Sequence, residues 1–148
     1  GRLKRVAKYI DDEVFCFTYG DGLTDVNINK LIEDHMSIDL EATLTAVKPP
    51  GRFGSIIIDK KKVIKFQEKP DGDNSWINGG FFVINKKVLD LISSDSSSWE
   101  IDILPKLAEK SQLNSFIHEG FWQPMDTLRD KQNLEKLWKE NRAPWKHW

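Results

Sequence analysis

Cysteine is almost missing from this 148-residue chain, which has one, Cys16. A single thiol excludes an internal disulfide framework and fits a reducing compartment. An excess of charge of one sign is also lacking. The formal net charge is −1, which gives no electrostatic footprint for nucleic acid. No apolar run approaches the length of a membrane-spanning helix, and no signal-peptide pattern opens the sequence. The expectation is a cytoplasmic protein with neither a nucleic-acid nor a membrane partner. His35, His118 and His147 show no metal-ligand spacing with each other or with Cys16. There is no nucleophile elbow, and no glycine-rich phosphate loop with its lysine. Cys16 lies in an apolar run and reads as a small core residue rather than a catalytic thiol.

What is present centres on Val14–Asp25, VFCFTYGDGLTD. Val14 to Phe17 is apolar and aromatic, the pattern of a strand buried on both faces, as in a parallel sheet. It breaks on Gly20-Asp21-Gly22, where the glycines allow a sharp turn and a close approach to a ligand. One carboxylate, Asp21, stands at the carboxyl end of that strand, the edge at which open α/β sheets bind ligands. A plain Asp-Gly turn explains this stretch equally well on its own.

The rest of the chain alternates between the two periodicities. Leu3, Val6, Ala7 and Ile10 share one face of an opening helix. A helix that leads straight into a buried parallel strand calls for an earlier strand. With no initiator methionine, the chain reads as the later part of a longer one. Asp25 or Asn27 caps the next helix, in which Ile28, Leu31, Ile32 and His35 share a face. Ala42–Val47 is a strand ended by Pro49-Pro50-Gly51. Ser55–Ile58 and Val63–Gln67 form a hairpin about a lysine-rich turn. Phe81–Ile84 is a further strand, and Lys86–Ile92 is helical. Ser93–Ser98 is a serine-rich surface link. Trp99–Lys110 fits a helix that buries Ile103, Leu104, Leu107 and Ala108, kinked at or beginning near Pro105. Ser115–His118 and Gly120–Gln123 are short strands. Asp126–Asn141 is the longest helical pattern, and an aromatic tail follows at 142–148 whose tryptophans need a packing partner. These elements predict one α/β domain, residues 1–148, with a mixed, mainly parallel Rossmann-like sheet and an inserted antiparallel hairpin.

Three polar clusters sit beside apolar strands: Gly20-Asp21-Gly22, Gln67-Glu68-Lys69-Pro70 and Gln123-Pro124-Met125-Asp126. Two separated carboxylates at strand ends suit Mg²⁺, which takes one or two carboxylates and leaves its other positions to substrate phosphates and water. A lysine alongside suits a phosphate as a point charge. On composition alone, Glu68 and Lys69 read rather as an ordinary solvated pair at a strand end.

In order along the chain, GRLKR at Gly1–Arg5, FCFTYGDGLTDV at Phe15–Val26, PPGRFG at Pro49–Gly54, FQEKP at Phe66–Pro70, INGGFFV at Ile77–Val83 and GFWQPMDTLRD at Gly120–Asp130 resemble the motifs of the sugar-1-phosphate nucleotidyltransferases. PPGRFG, WQPMDTLRDK and the late APWK are similar to the narrower cytidylyltransferase branch, which makes CDP-glucose for surface polysaccharide, including lipopolysaccharide O-antigen. The resemblance implies that Asp21 and Asp126 bind Mg²⁺ at the reacting phosphates of CTP and glucose 1-phosphate. It implies that Lys69 holds the sugar phosphate, that Glu68 binds glucose hydroxyls, that Asn78 and Gly79 line the sugar pocket, and that Gly54 lets its backbone approach the sugar. Tyr19 and Gly20 fall where the family positions the nucleotide, and Arg2 would face its phosphates. Homo-oligomers are usual in the family. The family's opening strand and GxGTR-type loop have no counterpart here, so the chain corresponds to about the later three-fifths of such an enzyme. It is expected to expose a sheet edge and to be inactive alone. Another nucleotide, dTTP or UTP, and a non-catalytic domain of the same fold remain alternatives.

Overall fold

The computed structural model describes residues 1–49, 55–67 and 75–147. In chain order the elements are α1 (Arg2–Val6), β1 (Val14–Thr18), β2 (Gly22–Thr24), α2 (Ile28–Met36), β3 (Ala42–Val47), β4 (Ser55–Asp59), β5 (Lys62–Gln67), β6 (Ile77–Asn85), α3 (Leu104–Glu109), β7 (Leu113–His118), β8 (Trp122–Pro124) and α4 (Leu128–Lys139). Short 3₁₀ turns cover Ala7–Tyr9 and Lys86–Leu91, and a π-helical turn covers Trp99–Ile103. The described residues form two compact units. The first is Gly1–Gly20, Asn27–Thr45 and Gly80–Ile117, and the second is Asp21–Val26, Ala46–Gly79 and His118–Trp148.

The first unit holds most of a four-stranded sheet in the order β1-β6-β3-β7. β1 pairs antiparallel with β6, from Val14 opposite Asn85 to Thr18 opposite Phe81. At its far end the Asn85 N–H reaches the Glu41 carbonyl just before β3, so β6 and β3 also run antiparallel. The Glu41 and Ala42 N–H groups both bond Gln112 O, which sets the starts of β3 and β7 side by side and parallel. The sheet is mixed, as expected, but antiparallel pairing predominates among the described residues because β6 runs counter to its neighbours.

The expectation that β1 is buried on both faces fails. Among the described residues β1 is the outermost strand of this sheet, and it alternates: Phe15 and Phe17 turn inward while Cys16 is exposed. Cys16 is therefore not a core residue, and the desolvation it does experience pushes its thiol pKa up, away from a reactive thiolate. The core lies on the other face. Phe82, Ile84, Ala42, Val88, Leu89, Ile92, Ile103 and Leu107 form one buried cluster. Each large apolar side chain so buried is worth about 1.5–3 kcal/mol. Phe17 stacks on Phe82 at 4.5 Å, and Trp99 meets both rings edge-on.

Helix ends follow the local chemistry. The Asn27 side chain accepts the Lys30 N–H at 3.0 Å and so begins α2, which buries Leu31 and His35. Ile28, expected on the same face, is exposed. His35 is held between Thr43 (2.9 Å) and Asn85 (3.3 Å). Asn85 spends its amide on Leu40 O and Glu41, so its oxygen accepts from the ring and Nε2 carries the proton. Pro105 stands in the first turn of α3, where its missing N–H is harmless, and the π turn before it absorbs the change of geometry. Ile103 and Leu107 are buried as expected, whereas Ala108 is exposed.

In the second unit β4 and β5 make the expected antiparallel hairpin. Lys60 and Lys61 both take positive φ, 43° and 76°, as a tight two-residue turn requires. α4 starts with a capping box: Thr127 accepts the Asp130 N–H, and the Asp130 carboxylate accepts the Thr127 N–H. Trp145 of the tail packs on Phe121 with ring centroids 5.3 Å apart.

A two-carboxylate candidate active site

The site's frame is a small ladder. β2 and β8, about a hundred residues apart in sequence, pair antiparallel: Gly22 with Pro124, Leu23 with Gln123 and Thr24 with Trp122. Beyond Pro124 the Met125 N–H donates to Asp21 O at 2.7 Å. Asp21 and Asp126 are thereby brought to the same end of one ladder, and both are exposed. The Trp122 indole N–H donates to Gly79 O at 2.8 Å, which ties the start of β6, with Asn78 and the buried Gly79, to the same unit. Among the described residues no group of three or more His, Cys, Asp or Glu converges. Asp21 and Asp126 each present a hard carboxylate at this ladder end, the donor type that could hold Mg²⁺ while leaving coordination positions to a phosphate-bearing substrate.

Tyr19, Gly20 and Arg2 belong to the first unit. The Tyr19 hydroxyl donates to Glu100, and this bond is the chief reason the Glu100 carboxyl lies below its ordinary pKa, against some opposing desolvation. The Tyr19 ring leans on Phe82, with centroids 5.5 Å apart. Gly80, at φ +79°, faces that ring, and a Cβ there would lie 2.6 Å from Tyr19 Cδ2. An aromatic recess of about 660 Å³ opens beside it, lined by Arg2, Phe17, Tyr19, Trp99 and Glu100 among others. Gly20 is exposed and has nothing within 4 Å of a built Cβ. Positive φ occurs at Gly80 rather than at Gly20 or Gly22, so the turn before Asp21 is made with ordinary backbone. Gly54, Glu68 and Lys69 lie outside the described residues.

Sequence reasoning missed three contacts. Glu100 on Tyr19 is one, and the Trp122 bond to Gly79 is another. The third is a pair between Asp25 and His118, with Oδ1 and Nε2 2.9 Å apart. All three join residues distant in sequence, and none has a local signature. The capping box at Thr127 was also missed, although Thr-x-x-Asp at the start of a helical pattern is its local signature.

The nucleotidyl transferase family matches residues 3–139. The chain is 56% identical over 149 aligned positions to glucose-1-phosphate cytidylyltransferase of Salmonella typhi, an alignment covering all of this chain and 58% of the relative. The Salmonella typhimurium protein of the same name gives the same identity and coverage. Among solved structures, HddC from Yersinia pseudotuberculosis in complex with GMP-PN aligns with a TM-score of 0.63 and 26% identity, over 88% of this chain and 58% of that one. The chain thus spans 58% of the length of these curated relatives. With the family matched over residues 3–139 and two relatives 56% identical over the whole chain, the chain belongs to the nucleotidyl transferase family.

Proposed function

We propose that the protein carrying this chain transfers the cytidylyl group of CTP to glucose 1-phosphate, giving CDP-glucose and pyrophosphate. The observation that carries the reading is the pairing of β2 with β8, which collects Asp21 and Asp126 at one ladder end in a chain 56% identical to two cytidylyltransferases. A phosphate oxygen of glucose 1-phosphate attacks the α-phosphorus of CTP. A new P–O bond forms, the bond to the β-phosphate oxygen breaks, and pyrophosphate leaves. The nucleophile needs no side-chain base, because the second pKa of a phosphate monoester is about 6. Catalysis then rests on alignment of two anions and on neutralising their charge.

In this reading Asp21 and Asp126 hold Mg²⁺, and their exposed hard oxygens fit an ion that keeps sites for phosphate and water. Bound there, the ion supplies positive charge at the reacting phosphates. Lys69 holds the sugar phosphate, Glu68 accepts from glucose hydroxyls, Asn78 and Gly79 line the sugar pocket, and Gly54 lets backbone approach it. Tyr19 and Gly20 position the nucleotide, with Arg2 facing its phosphates. The Glu100 carboxylate fixes the direction of the Tyr19 hydroxyl. The reaction is assigned to the cytoplasm, feeding deoxysugars into O-antigen, and to a homo-oligomer. Among the described residues no helix is long and apolar enough to cross a membrane.

The test uses Mn²⁺ as a paramagnetic probe of the full-length protein and of Asp21→Asn and Asp126→Asn. Each variant is expected to lose Mn²⁺ binding and about 10²–10³-fold in turnover, by analogy with loss of a transition-state charge partner, while retaining its fold. Near-normal turnover in either folded variant overturns the metal assignment.

A further inference from the structure

The β2–β8 ladder is too short to hold itself. It has three residue pairs, and Pro124 in one of them has no N–H to give. A lone two-stranded ribbon of this size is marginal in water. A slip of one residue would turn every side chain to the opposite face and change where Asp21 stands relative to Asp126. One end is fastened by the Met125 N–H on Asp21 O. The other end carries a denser set of bonds. Phe121 O accepts from the Thr24 hydroxyl at 2.7 Å and from the Asp25 N–H at 3.2 Å, and it lies 3.3 Å from His118 Nε2. The same ring nitrogen faces Asp25 Oδ1 at 2.9 Å. With two acceptors before it, Nε2 carries a proton in either charge state. Asp25 Oδ1 is buried and has no hydrogen bond of good geometry, so the His118 ring is its polar partner. The two side chains are only 28% and 12% exposed. Gly120 makes the approach possible: a Cβ there would lie 2.5 Å from Asp25 Oδ1 and 2.7 Å from His118 Cε1.

We propose that Asp25 and His118 are positioning residues. Their contact, admitted by Gly120, clasps the Thr24 end of the ladder, fixes its register, and thereby sets the spacing of Asp21 and Asp126 at the other end. The consequence for metal binding rests on the two-carboxylate reading; the register claim does not.

The experiment measures amide hydrogen exchange at Met125 and Mn²⁺ affinity in the full-length protein, for wild type, Asp25→Asn, His118→Gln, their double variant and Gly120→Ala. The last separates the pair sterically without altering either residue. Met125 exchange is expected to rise about tenfold in each single variant and no further in the double, as for two residues in one interaction. The β3 amides should not change, and Mn²⁺ affinity should fall in step with Met125. Three results overturn the clasp: unchanged Met125 exchange in the folded variants, a rise shared equally by β3, or additive effects in the double variant. If wild type binds no Mn²⁺ while Met125 exchange moves as expected, the clasp is supported and the metal reading alone is overturned.

Discussion

At the scale of single residues, the most informative position is Gly80. It alone among the described glycines has a positive φ, and its missing side chain makes room for the Tyr19 ring. Gly80→Ala adds backbone strain and a contact that the ring must yield to. A loss of about 1–3 kcal/mol in urea unfolding is expected, together with weaker nucleotide binding if Tyr19 positions that substrate. The sequence shows an Asn-Gly-Gly run but not which glycine is indispensable. That depends on Tyr19 N bonding Gly80 O across the β1–β6 pair. Cys16 teaches the same lesson. Its apolar neighbours suggested burial, yet side chains alternate along β1 and Cys16 falls on the uncovered face. Hydropathy reports the neighbours in sequence, not the number of covered faces.

At the scale of elements, local chemistry was readable wherever the partner is close in sequence. Asn27 capping α2, the turn at Lys60 and Lys61, and α3 starting around Pro105 all follow from residues within a few positions. The Thr127 capping box is of this kind. Thr127→Ala should remove about 1 kcal/mol of stability, seen as a lower urea midpoint with unchanged slope. Lys131 to Glu135 on the same helix is an exposed pair at 3.7 Å, and breaking it should change stability by no more than about 0.5 kcal/mol. By contrast, β2 and β8 are three-residue strands whose pairing no local pattern announces. Asp21 and Asp126 stood out as strand-end carboxylates, but that they lie at the same end of one ladder follows from topology alone.

At the scale of the whole molecule, the charge balance governs behaviour in acid. Burial tends to raise the Glu41 carboxyl, but hydrogen bonds from Lys87 and Asn85, and the Lys87 charge, outweigh it and leave the pKa lowered. Glu100 is lowered by the Tyr19 hydroxyl. A carboxyl whose folded pKa is depressed favours the native state fully above the ordinary carboxylate range, about 4.3 for Glu. That contribution disappears as pH falls through the lowered folded value. Stability should therefore decline on acidification below about pH 5, and the advantage of wild type over Glu41→Gln, measured by urea unfolding, should close between about pH 5 and pH 3. An advantage that persisted at pH 3 would show that Glu41 acts through packing rather than charge.

Pyrophosphate release reports the proposed cytidylyl transfer itself. The full-length protein is supplied with Mg²⁺ and glucose 1-phosphate and with CTP, UTP, dTTP or ATP in turn. Turnover with CTP, far above that with the other three, is the predicted result. Preference for another nucleotide, or no release with any of them from a folded protein, would contradict it.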